Sequence, residues 1–246
     1  MMRQQYRLSS SGLFRRSFFS HLLCVGLFFL FLSDKAEVSL QKVLCQIRIQ
    51  SPKSLIEKLR LSGAISEETG EVLLGSTASF GTPAYGTILR GKGFYVEDPA
   101  REGGRAGGHC TPEYCEKIKN DIEAWKQTEK AGGLSNAIVF LDRGVCTFAT
   151  KIRLAEKCGA DAAVVVDRGV SDWPRSYIRF NVIMSDDGTG HDIHIPSVLI
   201  AKDDGEAIVT TILEGGEKEP VLLEMEWRIP NQWPVVIDFW NDPGDS

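Results

Sequence analysis

One stretch limits what this chain can fold into more than any other. It runs Asn136-Ala-Ile-Val-Phe-Leu-Asp-Arg-Gly-Val-Cys-Thr-Phe148, continues through Ala149 to Gly159, and ends in Ala160-Asp-Ala-Ala-Val-Val-Val-Asp167. Ala137 to Leu141 is a short apolar run suited to a buried strand, and Asp142-Arg143-Gly144 breaks it with turn chemistry. From Thr147 the apolar residues Phe148, Ile152 and Ala155 fall at helical spacing, with Lys151, Arg153 and Lys157 between them, and Gly159 supplies a left-handed stop. Ala162 to Val166 is then a second buried strand. A strand, helix and strand of this length predict a right-handed parallel crossover. That crossover places the loop from Asp142 to Cys146 at the carboxyl end of its strand, where α/β proteins hold binding groups.

The flanking sequence supplies more strands. Leu40 to Gln50 alternates, with Val43, Cys45, Ile47 and Ile49 on one side. Ser51-Pro52 predicts the start of a short helix through Leu59, and Gly63 to Gly70 is polar. Thr77 to Gly86 is too rich in Gly, Pro and small residues for a regular element, so an ordered loop is expected, leading into a strand from Thr87 to Tyr95. Asp98 to Gly108 is Gly-rich. Thr111 or Pro112 opens a helix reaching about Lys130, whose mixed charges predict a solvated outer face. Ile193 to Ile200 reads as a strand with Pro196 at its start, at an edge or in a bulge. Asp203 and Glu206 resemble a capping box for a helix that stops at Gly215-Gly216. Val221, Leu223, Met225, Trp227 and Ile229 share one face of a further strand, and Val235 to Trp240 is the last one.

The mild net charge of −5 and the absence of a Lys/Arg stripe argue against a nucleic-acid partner. At the amino end, Arg3, Arg7, Arg15 and Arg16 precede an apolar run from Ser17 to Leu32, and Ser33-Asp-Lys-Ala36 ends in a small residue. This reads as a signal peptide over residues 1–36, with an uncleaved anchor as the rival. Past it lie Cys45, Cys110, Cys115, Cys146 and Cys158, an odd set, so at least one stays free or pairs between chains. Cys45 and Cys158 fall on apolar faces and are expected as buried thiols.

No Gly-x-Ser-x-Gly elbow, His-Glu-x-x-His, Walker loop or Rossmann fingerprint occurs. Ser185-Asp-Asp-Gly-Thr-Gly lacks the EF-hand ligand pattern, and His191-Asp-Ile-His194 lacks thiolates at zinc spacing. No catalytic residue, metal ligand or cofactor is expected.

Arg143-Gly-Val-Cys-Thr-Phe, the amphipathic helix after it, and Cys-Gly-Ala-Asp-Ala-Ala with its apolar strand resemble the protease-associated (PA) domain. Phe80-Gly-Thr-Pro-Ala-Tyr-Gly upstream, and Ile195-Pro-Ser-Val-Leu-Ile, Trp227 and Ile237-Asp-Phe-Trp-Asn downstream, make the resemblance closest to the luminal PA domain of plant-type vacuolar sorting receptors. It extends from about Val43 to Asn241. The resemblance implies an α/β (α+β) fold, a β-sandwich or open barrel flanked by helices and containing the β-α-β crossover. The domain would span 37–242, with insertions near 61–75, 98–134 and 168–190, and a polar tail at 243–246.

The resemblance also implies that Cys146 pairs with a cysteine of the preceding loop. Cys110 is favoured because it lies in the Gly-rich loop, with Cys115 the alternative. It implies a non-catalytic module that recognises sorting-signal peptides of soluble cargo in the endomembrane lumen or outside the cell. The peptide site would comprise Ser79, Phe80, Gly81, Tyr85, Arg143, Gly144 and Phe148. Arg143 would use its planar fork on a carboxylate or carbonyls, the competing expectation being an internal pairing with Asp142 or a loop carbonyl. The alternative function is a PA appendage of a peptidase or transmembrane RING ubiquitin ligase separated from its enzyme. The receptor family's central domain, Cys-rich repeats, span and tail are absent from this sequence, so membrane attachment would need the uncleaved anchor or a missing carboxyl-terminal part.

Overall fold

The computed structural model describes residues 44–67, 69–97, 108–128, 134, 136–168, 173–215 and 219–228. The expected signal peptide at residues 1–36, Ile229 and the expected strand at Val235 to Trp240 lie outside the described residues.

Seven strands close into a barrel. In chain order they are β1 (Leu44–Ser51), β2 (Leu73–Thr77), β3 (Ile88–Phe94), β4 (Asn136–Asp142), β5 (Ala162–Asp167), β6 (Ser197–Ala201) and β7 (Leu222–Glu226). Five α-helices flank them: α1 (Lys53–Leu61), α2 (Pro112–Lys126), α3 (Phe148–Lys157), α4 (Arg175–Asn181) and α5 (Lys202–Gly215). Around the barrel the order is β1-β2-β6-β5-β4-β3-β7. The run β3-β4-β5-β6 is parallel. β7 closes the sheet by pairing antiparallel with both β1 and β3. The sheet is therefore closed rather than open, because the alternating residues of β7 find a partner strand on each side.

The central parallel strands β4, β5 and β6 are apolar along their middles because both their faces are buried, whereas β3 carries Arg90 and Lys92 and is partly exposed. Ile138 and Phe140 of β4, Val164 and Val166 of β5, and Val198 and Ile200 of β6 fill one core with Ile47, Leu223 and Met225. Val139, Leu141, Val165 and Leu199 point the other way, against Ile118 and Ile122 of α2 and Ile152 of α3. Each large apolar side chain buried in this way contributes roughly 1.5–3 kcal/mol.

Local signals hold at several ends. Thr147 caps α3 by accepting the N–H of Thr150, and Gly159 ends it at φ +97. Thr111 caps α2, which has Pro112 at its first position and stops at Lys126. The charged face of α2 is exposed, while Tyr114, Ile118, Ile122 and Trp125 enter the core. β6 begins immediately after Pro196, which keeps its missing N–H off the ladder. Two expectations change. Ser51 does not cap α1; its hydroxyl donates to the Pro220 carbonyl, 2.8 Å away. Asp203 is not an N-cap, because α5 follows β6 without a linker and Asp203 falls inside the first turn. Helix α4 was not foreseen in the polar segment after Asp167.

Candidate functional site

Arg143 stands at the edge of the barrel where the parallel strands end. Register puts Asp142 beside Val166, and Asp167 beside Ala201, so the carboxyl ends of β4, β5 and β6 share that edge. The Arg143 N–H extends the ladder by donating to Val166 O at 2.9 Å. Its side chain is partly exposed, and Nη1 pairs with Asp167 Oδ1 at 3.0 Å. The internal partner is thus Asp167, not Asp142. The guanidinium carbon lies 5.7 Å from the Phe148 ring centre and 5.8 Å from that of Trp173, within cation–π range of both.

The next three residues make an unusual turn. Cys146 N–H donates to Gly144 O at 2.9 Å, and Val145 between them has φ +67. A bond from i+2 to i across a positive-φ residue is the rarer, strained form of γ-turn. For a β-branched residue that conformation is an outlier, yet Val145 is 69% exposed and contributes nothing to the core.

Beneath the loop lies a buried polar framework. Asp142 has no exposed surface; its carboxylate accepts from Tyr95 Oη at 2.9 Å and faces the Arg168 guanidinium at 3.3 Å on both oxygens. Burial first, and the Asp142 carboxylate second, push the Tyr95 phenol well above its usual range. His109, also fully buried, accepts the Asp142 N–H at Nδ1 and donates from Nε2 to Val96 O, each at 3.0 Å. This pattern assigns the neutral tautomer with its proton on Nε2. Lys151, which falls between the apolar residues of α3, is buried and donates to Gly108 O. Cys110 forms a disulfide with Cys146, so residues 108–110 brace the loop at three consecutive points.

The other cysteines correct one expectation. Cys158 is not a thiol; it is bonded to Cys115, which joins α2 to the end of α3. Both residues sit on apolar helix faces, and burial that suits a thiol suits a disulfide equally well. Among the described residues Cys45 is the free cysteine, with burial raising its pKa.

The second expected segment starts elsewhere. β2 leaves the barrel beside Val198, near the beginning of β6 and therefore at the opposite edge from Asp142. Ser79 is exposed and binds the segment after α4: its N–H donates to Met184 O at 3.1 Å, and its Oγ accepts from Asp186 N at 2.9 Å. Phe80 is buried in the helical core, Gly81 has φ +58 beside Ile195 O, and Tyr85 is exposed. The link between the two segments runs through residues 184–192, since Arg153 of α3 forms a two-oxygen contact with Asp192 at 2.8 and 2.9 Å. Gly144 is exposed and Phe148 half-buried beside Arg143.

Sequence reasoning missed His109, Lys151, Asp167 and Arg168 because each becomes functional only through a neighbour distant in the chain. It also missed Trp173 and Tyr177, although a Trp-Pro pair in a polar stretch was a visible signal. Among the described residues, no cluster of His, Cys, Asp or Glu is arranged to hold a metal ion. No helix there is long and apolar enough to cross a membrane.

Residues 96–208 match the family model described as the PA domain. That match starts after β3 and stops inside α5, so β1, β2, β3 and β7 complete the barrel from outside it. Vacuolar-sorting receptor 5 of Arabidopsis thaliana is 28% identical over 200 residues, or 80% of this chain and 28% of that protein. Vacuolar-sorting receptor 1 of Pisum sativum is 27% identical over 204 residues, 80% of this chain and 29% of that protein. The chain thus spans under a third of the length of the curated relatives it matches. Among solved structures, an aminopeptidase from Aneurinibacillus sp. strain AM-1 aligns with TM-score 0.40 at 17% identity, over 75% of this chain and 30% of that one. A zinc aminopeptidase from Bacillus subtilis aligns with TM-score 0.38 at 20% identity, over 76% and 32%.

Proposed function

From a chain that carries a PA domain at residues 96–208 and is similar to vacuolar sorting receptors over four fifths of its length, we propose a non-catalytic module that binds peptide signals of cargo proteins in the lumen of the secretory pathway. One observation carries the reading. Arg143 is held at the carboxyl edge of the parallel strands by Asp167 and two rings, and its guanidinium makes no other hydrogen bond among the described residues. A planar cation with donors left over is suited to a ligand carboxylate or a run of peptide carbonyls. Gly144 and Phe148 flank it. Ser79, Gly81 and Tyr85 form a second contact segment in this reading, with Phe80 anchoring that segment in the core. Two disulfides support a luminal or extracellular compartment.

The test is binding of the chain to a panel of vacuolar-targeting peptides, with Arg143→Ala measured in parallel. Wild type should bind at least one peptide, and the variant should bind it about tenfold more weakly or worse, the scale of an interface hot spot. Equal binding by the variant would take Arg143 out of the site. No binding by either protein would leave the domain without this function.

A further inference from the structure

Trp173, one of the two rings beside Arg143, comes from outside the segments expected to form the site. Phe80 is buried in the core and unavailable to a ligand. Trp173, 40% exposed, lies beside the guanidinium, Tyr177 of α4, equally exposed, packs against Trp173, and Val145, 69% exposed, follows Arg143 on the strained turn. The Trp173 and Tyr177 ring centres are 4.7 Å apart with their planes tilted by 56°, so the two rings form a stepped ledge. The Tyr177 hydroxyl makes no hydrogen bond among the described residues. Val145 is held at positive φ, a strained conformation for a β-branched residue, and its exposure means that no buried contact of its own offsets the strain. An Arg beside a Trp–Tyr pair, with an exposed aliphatic side chain two residues away, has the composition of an interface centre rather than of ordinary surface.

Resting on the reading above, we propose that Trp173, Tyr177 and Val145 form an apolar subsite next to Arg143, and that its occupant is an extended peptide with an acidic side chain two positions from a large apolar residue. Charge complementarity selects the acid. Asp167 engages a single guanidinium nitrogen, and a second carboxylate can take the donors that face solvent. Geometry selects the spacing. In an extended strand, residues two apart point the same way about 6.6 Å from each other, and the guanidinium carbon lies 5.8 Å from the Trp173 ring centre. A carboxylate on Arg143 and an apolar side chain on the ledge therefore fit one face of one strand. Adjacent residues would point to opposite faces and could satisfy only one contact.

The experiment uses fluorescence anisotropy with a labelled peptide, blocked at both ends, carrying glutamate and phenylalanine two positions apart. Control peptides replace the glutamate with glutamine, replace the phenylalanine with alanine, or bring the two residues next to each other. Each control should bind at least about tenfold more weakly to the wild-type chain. Trp173→Ala and Tyr177→Ala should each cost a similar factor. Val145→Gly should also weaken binding, but its thermal midpoint should be unchanged or higher because the positive-φ strain is relieved, which separates a ligand contact from a structural role. Wild-type affinity for the parent peptide in all three variants, or indifference to the phenylalanine, would overturn the subsite. If sensitivity to Arg143→Ala persisted in that case, the broader reading would stand. Failure of the wild-type chain to bind both this peptide and the targeting panel would overturn both.

Discussion

His109 Nδ1 accepts the backbone N–H of Asp142 at 3.0 Å, from a ring with no exposed surface. The bond ties the residue just before Arg143 to the residue just before Cys110, which is itself bonded to Cys146. His109→Phe keeps a ring between Tyr95 and Tyr114 but removes the acceptor and strands a buried N–H. A loss of about 1–3 kcal/mol in urea unfolding is expected. An unchanged midpoint would mean that the Asp142 amide has found another partner.

Gly205 is where α5 crosses β5. A Cβ there would come within 2.3 Å of Val166 Cγ1 and 2.5 Å of Cγ2, on a branched side chain with no flexible end to swing away. Gly205→Ala should therefore destabilise the chain by about 1–3 kcal/mol or more through overpacking. Gly215→Ala, at the end of the same helix, is a control with no atom near its Cβ and no positive φ. Comparing the two denaturation curves isolates the packing effect.

Non-reducing peptide mapping should recover two cross-linked pairs, Cys110 with Cys146 and Cys115 with Cys158, and should find Cys45 alkylated only after unfolding. The second bridge closes a separation of 43 residues. By the chain-entropy relation, replacing Cys115 and Cys158 together by Ser removes about 4 kcal/mol. Scrambled pairs in the map would refute the assignment.

Asp204 offers a test in pH. Burial raises its carboxyl pKa, outweighing the opposite pull of Arg175 Nε at 2.5 Å. The native state therefore holds this proton more tightly than the unfolded chain does. The stability contribution of this group is lowest above the folded pKa and increases as pH falls through that value toward the unfolded one. Asp204→Asn cannot titrate there. Urea unfolding at stepped pH should show wild type gaining on the variant as the solution is acidified from neutrality into the carboxylate range. A constant or shrinking difference would mean that the Arg175 ion pair dominates.

The legible parts of the sequence were those with local causes. The 136–167 unit, the caps at Thr111 and Thr147, the stop at Gly159, and the alternation of β7 all depend on neighbours a few residues away. The Cys110 bridge came from a resemblance, which placed Cys146 in a disulfide. The Cys115 bridge was missed because a half-cystine and a buried thiol leave the same apolar imprint on a helix face. The burial of Lys151 was not legible, because the Gly108 carbonyl that receives it lies 43 residues upstream. Of the expected site, Arg143, Gly144 and Phe148 lie together, while Ser79 and Gly81 lie across the 184–192 segment from them.

By itself, the sequence determined β1, β4, β5 and β7, the helices α2, α3 and α5 and their apolar faces, but not β2 or α4, because side-chain periodicity and turn chemistry act within a few residues. Tertiary structure alone decided that β7 closes the sheet, that Asp167 holds Arg143, and that Trp173, with Tyr177 packed against it, stands beside that arginine. Those outcomes depend on which distant segments meet when the barrel closes, and contacts at long separation leave no periodic trace in a single chain.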